Sequence, residues 1–359
     1  MRMNLFFHAV FLLIGTTLGA GVFALPYVFS RSGWLPSLLG IIILGTIMIV
    51  LNLFYSLIIL RTDGDHQLPG YVKKYLGKKA ANLSIWAMLL ALNGALLAYV
   101  ILGGEFLALS LGRLAGNFYR FWFCLLGFWL FWRGFKSLAK INTWLTAVLV
   151  LLMIIIPTSL VRFIRPENYI LITKTPLFFW GAALFSLTSF SVIPEIEEVL
   201  RRQKYLLRPV VLTGGLLSIL LYLVFGFSVW GVTGAVTTVD AFSGLVSFSP
   251  TLIRWGAAMG LLALFTSFLS LANVVKEIYF RDLKLKQKWA RFLAILPAGI
   301  GIFLPMGNFV GIISFISATG LVISGVLICL MFAKLKPKFK WFAWAAGLIF
   351  VLGAAAEIF

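Results

Sequence analysis

Histidine and cysteine are nearly missing. The 359 residues hold two of each: His8 and His66, Cys124 and Cys329. The cysteines stand in separate apolar stretches. They give no basis for a disulfide framework, and no Cys/His cluster has metal-ligand spacing. Carboxylates are scarce too, 11 Asp and Glu against 30 Lys and Arg. No nucleophile–base pair or acidic pair falls within the apolar stretches, which disfavours a membrane enzyme. What the chain has is apolar surface. Hydrophobic residues make up 62% and include 34 Phe, and the mean hydropathy is +1.05. A soluble domain of this length does not look like that. The sequence describes an all-α, polytopic membrane protein whose helices use nearly every residue.

About eleven spans can be read from the apolar runs. They cover roughly 5–30, 34–60, 82–111, 118–135, 141–163, 176–199, 208–231, 251–280, 289–305, 307–333 and 340–357, with ends uncertain by several residues. With the N-terminus in the cytoplasm, 23 of the 30 Lys and Arg fall on inside segments and 7 on outside ones. That asymmetry sets N-terminus in and C-terminus out, in a cell (plasma or inner) membrane. It also accounts for the net charge of +19 through topology, with the lipid bilayer and no nucleic acid as partner. The first segment carries one Arg and no small-residue cleavage site, so it reads as a retained span, not a signal peptide.

Two loops carry more than polarity. Residues 61–81 include Asp63-Gly64-Asp65-His66. Two carboxylates and one His are a thin ligand set, and a solvated turn is the simpler reading. Residues 232–250 form an outside loop rich in Gly, Thr, Ser and Val, placed to act as a lid.

The chain is organised around Gly15-Thr16-Thr17-Leu18-Gly19-Ala20-Gly21, with Pro26 beyond. Three glycines and two β-branched threonines make a poor helix. A break at mid-depth exposes backbone groups, which lipid tolerates only where they line a cavity or bind something. Span six repeats the pattern. Ser186, Thr188, Ser189 and Ser191 cluster before Pro194. Pro26 follows Gly21 by five residues as Pro194 follows Ser189. Spans one and six correspond in a five-plus-five repeat of opposite orientation. Paired interruptions in matching halves point to a secondary-transporter site. Alone, Gly15-x-x-x-Gly19 also reads as a helix-packing motif, and Ser and Thr bond back to their own helix. The implied organisation is one membrane domain: residues 1–163 as first repeat, 176–333 as second, and 340–357 as an added helix.

The run from Gly15 through Val22-Phe23-Ala24-Leu25-Pro26-Tyr27 resembles the first span of bacterial tryptophan/tyrosine permeases and the wider amino acid/auxin permease group. These belong to the amino acid–polyamine–organocation superfamily, whose inverted-repeat fold the neurotransmitter–sodium symporters share. The resemblance implies a substrate site in the breaks. The amides of Ala20 and Gly21 would take an amino-acid carboxylate. Carbonyls near Thr17, and those of Leu187 and Thr188, would take the ammonium, with a Ser189 or Ser191 hydroxyl nearby. Tyr99 in span three, with Asn93 beside it, would close over the carboxylate. Phe23, Phe185 and Phe190 are candidate walls.

Span eight contains Ala263, Thr266 and Ser267 in the spacing of a sodium site in those symporters. The ligand set implied is Ala263, Thr266 and Ser267 with the carbonyls of Gly15 and Leu18. The rival coupling ion is a proton. Glu195, at the inner end of span six, is its best carrier or a gate. Glu197 and Glu198 precede Arg201 and Arg202 by four residues, so helix ion pairs account for them. Glu105 lies near the outer end of span three. Span five offers Asn142, Thr143 and Thr146 but no mid-span Lys, where some proton-coupled relatives have one. The reading is an amino-acid transporter working by alternating access, with sodium or proton coupling, no cofactor, and a functional monomer. A non-transporting nutrient receptor on the same fold stands as the alternative.

Overall fold

The computed structural model describes residues 2–112, 116–132, 135–200, 203–245, 250–303 and 309–358. Every regular element among them is helical. The first apolar segment forms α1 (Arg2–Thr17) and α2 (Gly21–Ser32), bent by 54°. Then come α3 (Trp34–Leu60), a short amphipathic α4 (Leu68–Leu76), α5 (Lys78–Leu111), α6 (Gly116–Trp132) and α7 (Phe135–Leu160). The second half opens with another interrupted span, α8 (Trp180–Leu187) and α9 (Ile193–Leu200). It continues through α10 (Leu207–Thr233), α11 (Pro250–Glu277), α12 (Gln287–Ile295), α13 (Phe309–Ile316), α14 (Val322–Leu335) and α15 (Lys340–Ile358).

Among the described residues, six helical runs are long and apolar enough to cross a membrane, and the bent α1–α2 pair makes a seventh. The remaining expected spans coincide with shorter or interrupted pieces. These are α6, the α8–α9 pair, α12 continued by a 3₁₀ segment over Leu296–Ile302, and α15.

The halves of the broken spans pair crosswise. The first half α1 packs on α9, and the second half α2 packs on α8. Since α1 precedes its break and α9 follows its own, the two spans run antiparallel, as an inverted repeat requires. Against this pair lie α10, which touches α1 and α2, and α11, which touches α1 and α5.

The second break differs in detail from expectation. Pro194 does not cause it. The helix stops at Leu187, Thr188 and Ser189 leave helical geometry, and Pro194 sits in the first turn of α9. A first-turn proline loses no hydrogen bond the helix would have made.

The loop after α10 packs an aromatic side chain into the bundle. Phe242, fully buried, packs its ring 5.7 Å from Phe23 and 5.9 Å from both Phe106 and Phe225. Residues 246–249 lie outside the described residues.

On the opposite face, His66 turns its ring toward Asp282 at 3.9 Å. Burial, followed by the nearby Lys74 charge, holds the His66 ring below its ordinary value. Among the described residues no group of three His, Cys, Asp or Glu is placed to hold a metal ion.

Candidate functional site

At the first break the backbone stops making helical bonds for three residues. The Leu18 amide still donates to the Ile14 carbonyl at 2.7 Å, while that of Gly19 turns back to Thr17. Helical bonding resumes with Val22 to Gly19 and Phe23 to Ala20. Between them the amides of Ala20 and Gly21 have no backbone acceptor among the described residues. They form the N-terminus of α2, where the helix dipole favours an anion. Close packing enforces glycine here. A Cβ on Gly21 would stand 2.3 Å from Ser186 Oγ and 2.9 Å from the Ser186 Cα, which is backbone and cannot step aside.

At the second break the hydroxyls part company. Ser186 and Thr188 donate to Ala182 and Leu184 in their own helix. Ser189 instead accepts from Asn52 Nδ2 of α3 at 2.9 Å. That bond ties the unwound segment to the neighbouring helix.

Tyr222, at the middle of α10, is the residue that sequence reasoning missed. It is fully buried, and its hydroxyl lies 2.6 Å from the Thr17 carbonyl and 2.7 Å from the Ser186 carbonyl. Both carbonyls belong to the C-terminal ends of half-helices, α1 and α8. The only signal in the sequence is a lone Tyr in an otherwise apolar span.

A cavity of about 30 Å³ lies between the breaks. Its walls are Thr16, Thr17, Gly19 and Gly21 from the first break, and Phe185, Ser186, Thr188, Phe190 and Ser191 from the second. Tyr99 and four apolar residues of α5 close one side, and Leu271, Leu321 and Ser324 complete it. Of the residues expected from sequence, Thr17, Gly21, Tyr99, Thr188 and Ser191 line the cavity. Ala20, Leu187 and Ser189 are buried beside it and do not line it. Phe185 and Phe190 are walls, whereas Phe23 packs on Phe106 and Phe225. Asn93 donates to Leu89 in its own helix and is not part of the lining. A volume of 30 Å³ holds about one water. The cavity as folded is therefore too small for an amino acid.

Next to the cavity is a cluster built of oxygens. Ser267 Oγ donates to the Gly15 carbonyl at 2.9 Å, and Thr266 Oγ1 donates to the Ala263 carbonyl at 2.9 Å. Thr146 of α7 adds a buried hydroxyl with no partner, and a Cβ on Gly15 would stand 2.2 Å from it. Leu18 is buried at the same break. No carboxylate joins this group. Neutral oxygens from three helices suit a hard monovalent cation.

Further in, Glu195 is buried, with 7% of its surface exposed. Its Oε1 accepts from Asn273 Nδ2 at 2.6 Å, and its Oε2 has no partner. Asn273 Oδ1 in turn accepts from Lys276. The neighbouring acids have partners beyond their own helix. Glu197 pairs with Lys204, and Glu198 with Arg281 at 2.6 Å, in the turn of π-helix that follows α11. Arg201 and Arg202 lie outside the described residues. Glu105 pairs with Arg120 at 3.2 Å.

Two antiparallel broken spans, uncapped amides and a closed cavity between them define a membrane transporter for a small polar solute. The model of the tryptophan/tyrosine permease family matches residues 2–352, and the chain belongs to that family. It is a multi-pass membrane protein that transports amino acids, not an enzyme. A search of curated proteins finds no match. Among solved structures, the crystal structure of MhsT in complex with L-phenylalanine is similar over 97% of this chain and 98% of that one. The TM-score is 0.72 at 16% identity, a likeness of fold. That fold is the broken-helix inverted repeat expected from the sequence.

Proposed function

We propose that the chain carries neutral, aromatic amino acids across the cell membrane by alternating access, in symport with sodium. The carrying observation is the pair of unbonded amides at Ala20 and Gly21, set a few residues from the oxygen cluster at Gly15 on the same stretch of backbone. The amides take the carboxylate. The carbonyls of Thr17, Leu187 and Thr188 and the hydroxyl of Ser191 serve the ammonium end, and Tyr99 closes over the carboxylate. Gly15, Leu18, Ala263, Thr266 and Ser267 hold the cation. The neighbour's bound L-phenylalanine supports an aromatic side chain, and Phe185 and Phe190 are suitable walls. Spans one and six rock against a scaffold of spans three, four, eight and nine, within a first repeat over 1–163, a second over 176–333, and an added helix at 340–357. The N-terminus is cytoplasmic and the monomer is the working unit.

Glu195 supports a second reading, in which the coupled ion is a proton. A buried carboxylate with one free oxygen is suited to carry one. Gradient-driven uptake in proteoliposomes decides between them. Accumulation of labelled L-tryptophan on a sodium gradient supports the first reading. Accumulation on a pH gradient alone supports the second.

A further inference from the structure

Among the described residues six threonines are buried: Thr16, Thr17, Thr146, Thr233, Thr237 and Thr266. Five of them donate to a backbone carbonyl of their own helix or turn. That is the ordinary course for a threonine hydroxyl in an apolar helix. Thr146 of α7 is the exception. It is fully buried, and its hydroxyl has no partner. Its side chain is also turned in a definite direction. A Cβ on Gly15 would stand 2.2 Å from Thr146 Oγ1 but 3.2 Å from its methyl carbon. The hydroxyl, not the methyl, faces α1.

Hydroxyls from two helices therefore meet at Gly15. Ser267 of α11 donates to its carbonyl at 2.9 Å, and Thr146 of α7 stands where a side chain would be. The same stripe of α7 makes a second contact with α1. Thr143 is hydrogen-bonded to His8 Nδ1 at 2.5 Å. Positions three apart share a helix face, so this face of α7 runs along α1. α7 packs on α11 as well, and it borders both helices that supply the cation oxygens. A buried hydroxyl without a partner is costly. Its oxygen has two lone pairs to offer, and a cation shared with the Gly15 carbonyl is a partner of the right sign.

We propose that Thr146 Oγ1 is a further ligand of the cation at Gly15, supplied by span five, so that the site joins α1, α7 and α11. This rests on the cation site of the preceding section and extends it. Without Thr146, the ligand set ties α1 to α11 alone. With it, the occupied site also holds α7 against α1. Gly15 acquires a second role, since any side chain there would fill the space that the Thr146 hydroxyl takes.

The test is thermal unfolding of the purified full chain, without substrate, over a range of sodium chloride with choline chloride holding the ionic strength constant. Sodium raises the melting temperature of wild type by binding the folded chain. Thr146→Val keeps the shape and puts a methyl where the hydroxyl was. It needs about tenfold more sodium for the same rise. In choline alone it melts no lower than wild type, because it gives up no hydrogen bond. Thr146→Ser keeps the hydroxyl and the wild-type sodium response. Should the Val variant not fold, Thr146→Ala against Thr146→Ser makes the same comparison. A wild-type sodium response in the variant without the hydroxyl overturns the ligand, and so does a Ser variant that loses as much as that one. The two readings fail separately. A wild-type melting temperature that ignores sodium overturns the cation site and the Thr146 ligand together. A sodium response in wild type that survives loss of the hydroxyl in full overturns the ligand alone.

Discussion

The hydroxyl of Tyr222 lies 2.6 Å from the carbonyl of Thr17 and 2.7 Å from that of Ser186, so one side chain of α10 joins both helix breaks. Each carbonyl ends a half-helix and carries the negative end of its dipole. One phenolic proton serves both. Replacing Tyr222 by Phe keeps the ring and removes this donor. The Ser186 carbonyl then loses it and the Thr17 carbonyl keeps only the Gly19 amide, at a cost of about 1–3 kcal/mol. The expected result is a lower melting temperature together with a fall of about tenfold or more in L-tryptophan affinity. A variant with wild-type affinity would show that Tyr222 does not position the breaks.

Gly21 is held by backbone, not by a movable side chain. Gly21→Val places its Cβ against the Ser186 Cα, at 2.9 Å in the present geometry, and must push the two breaks apart. Substrate binding should be lost, while Gly21→Ala, with the same Cβ and fewer atoms, should bind weakly. Scintillation proximity binding measures both. Normal affinity in the Val variant would remove the carboxylate site.

Thr266→Val preserves shape and removes one oxygen from the cluster near Gly15. In a sodium titration of substrate binding, the half-maximal concentration should rise by about tenfold. Binding in choline should stay as in wild type. An unchanged sodium titration would take Thr266 out of the cation site.

Much of this was legible in residue types. Gly15 to Gly21 and Ser186 to Ser191 disclose their breaks because glycine, threonine and serine clusters are costly inside a membrane helix. Ala263, Thr266 and Ser267 are a local pattern on one helix face. What stayed hidden depends on contacts between distant segments. Asn52 reaching Ser189, Tyr222 reaching Thr17 and Ser186, and Glu198 reaching Arg281 are fixed by how helices lie against each other. The spacing of Glu198 and Arg202 predicts a helical pair, but spacing is silent about Arg281, which reaches Glu198 from the segment after α11. Ser189 was grouped with its neighbours for its hydroxyl, yet the 3₁₀ turn that follows it aims that hydroxyl at α3.

Glu195→Gln separates the coupling ions. The amide oxygen still accepts from Asn273, so the local packing survives. Sodium-driven uptake should persist in this variant, and a pH gradient alone should drive no uptake in wild type. Wild-type uptake on a pH gradient, lost in Glu195→Gln, would move coupling to the proton.

The central claim is that the first break holds the substrate. An experimental structure of the protein with L-tryptophan and sodium tests it most directly. The account predicts the ligand carboxylate within about 2.7–3.2 Å of the Ala20 and Gly21 amides, with Tyr99 Oη beside it. A ligand bound away from the break, with those amides still unbonded, would contradict it.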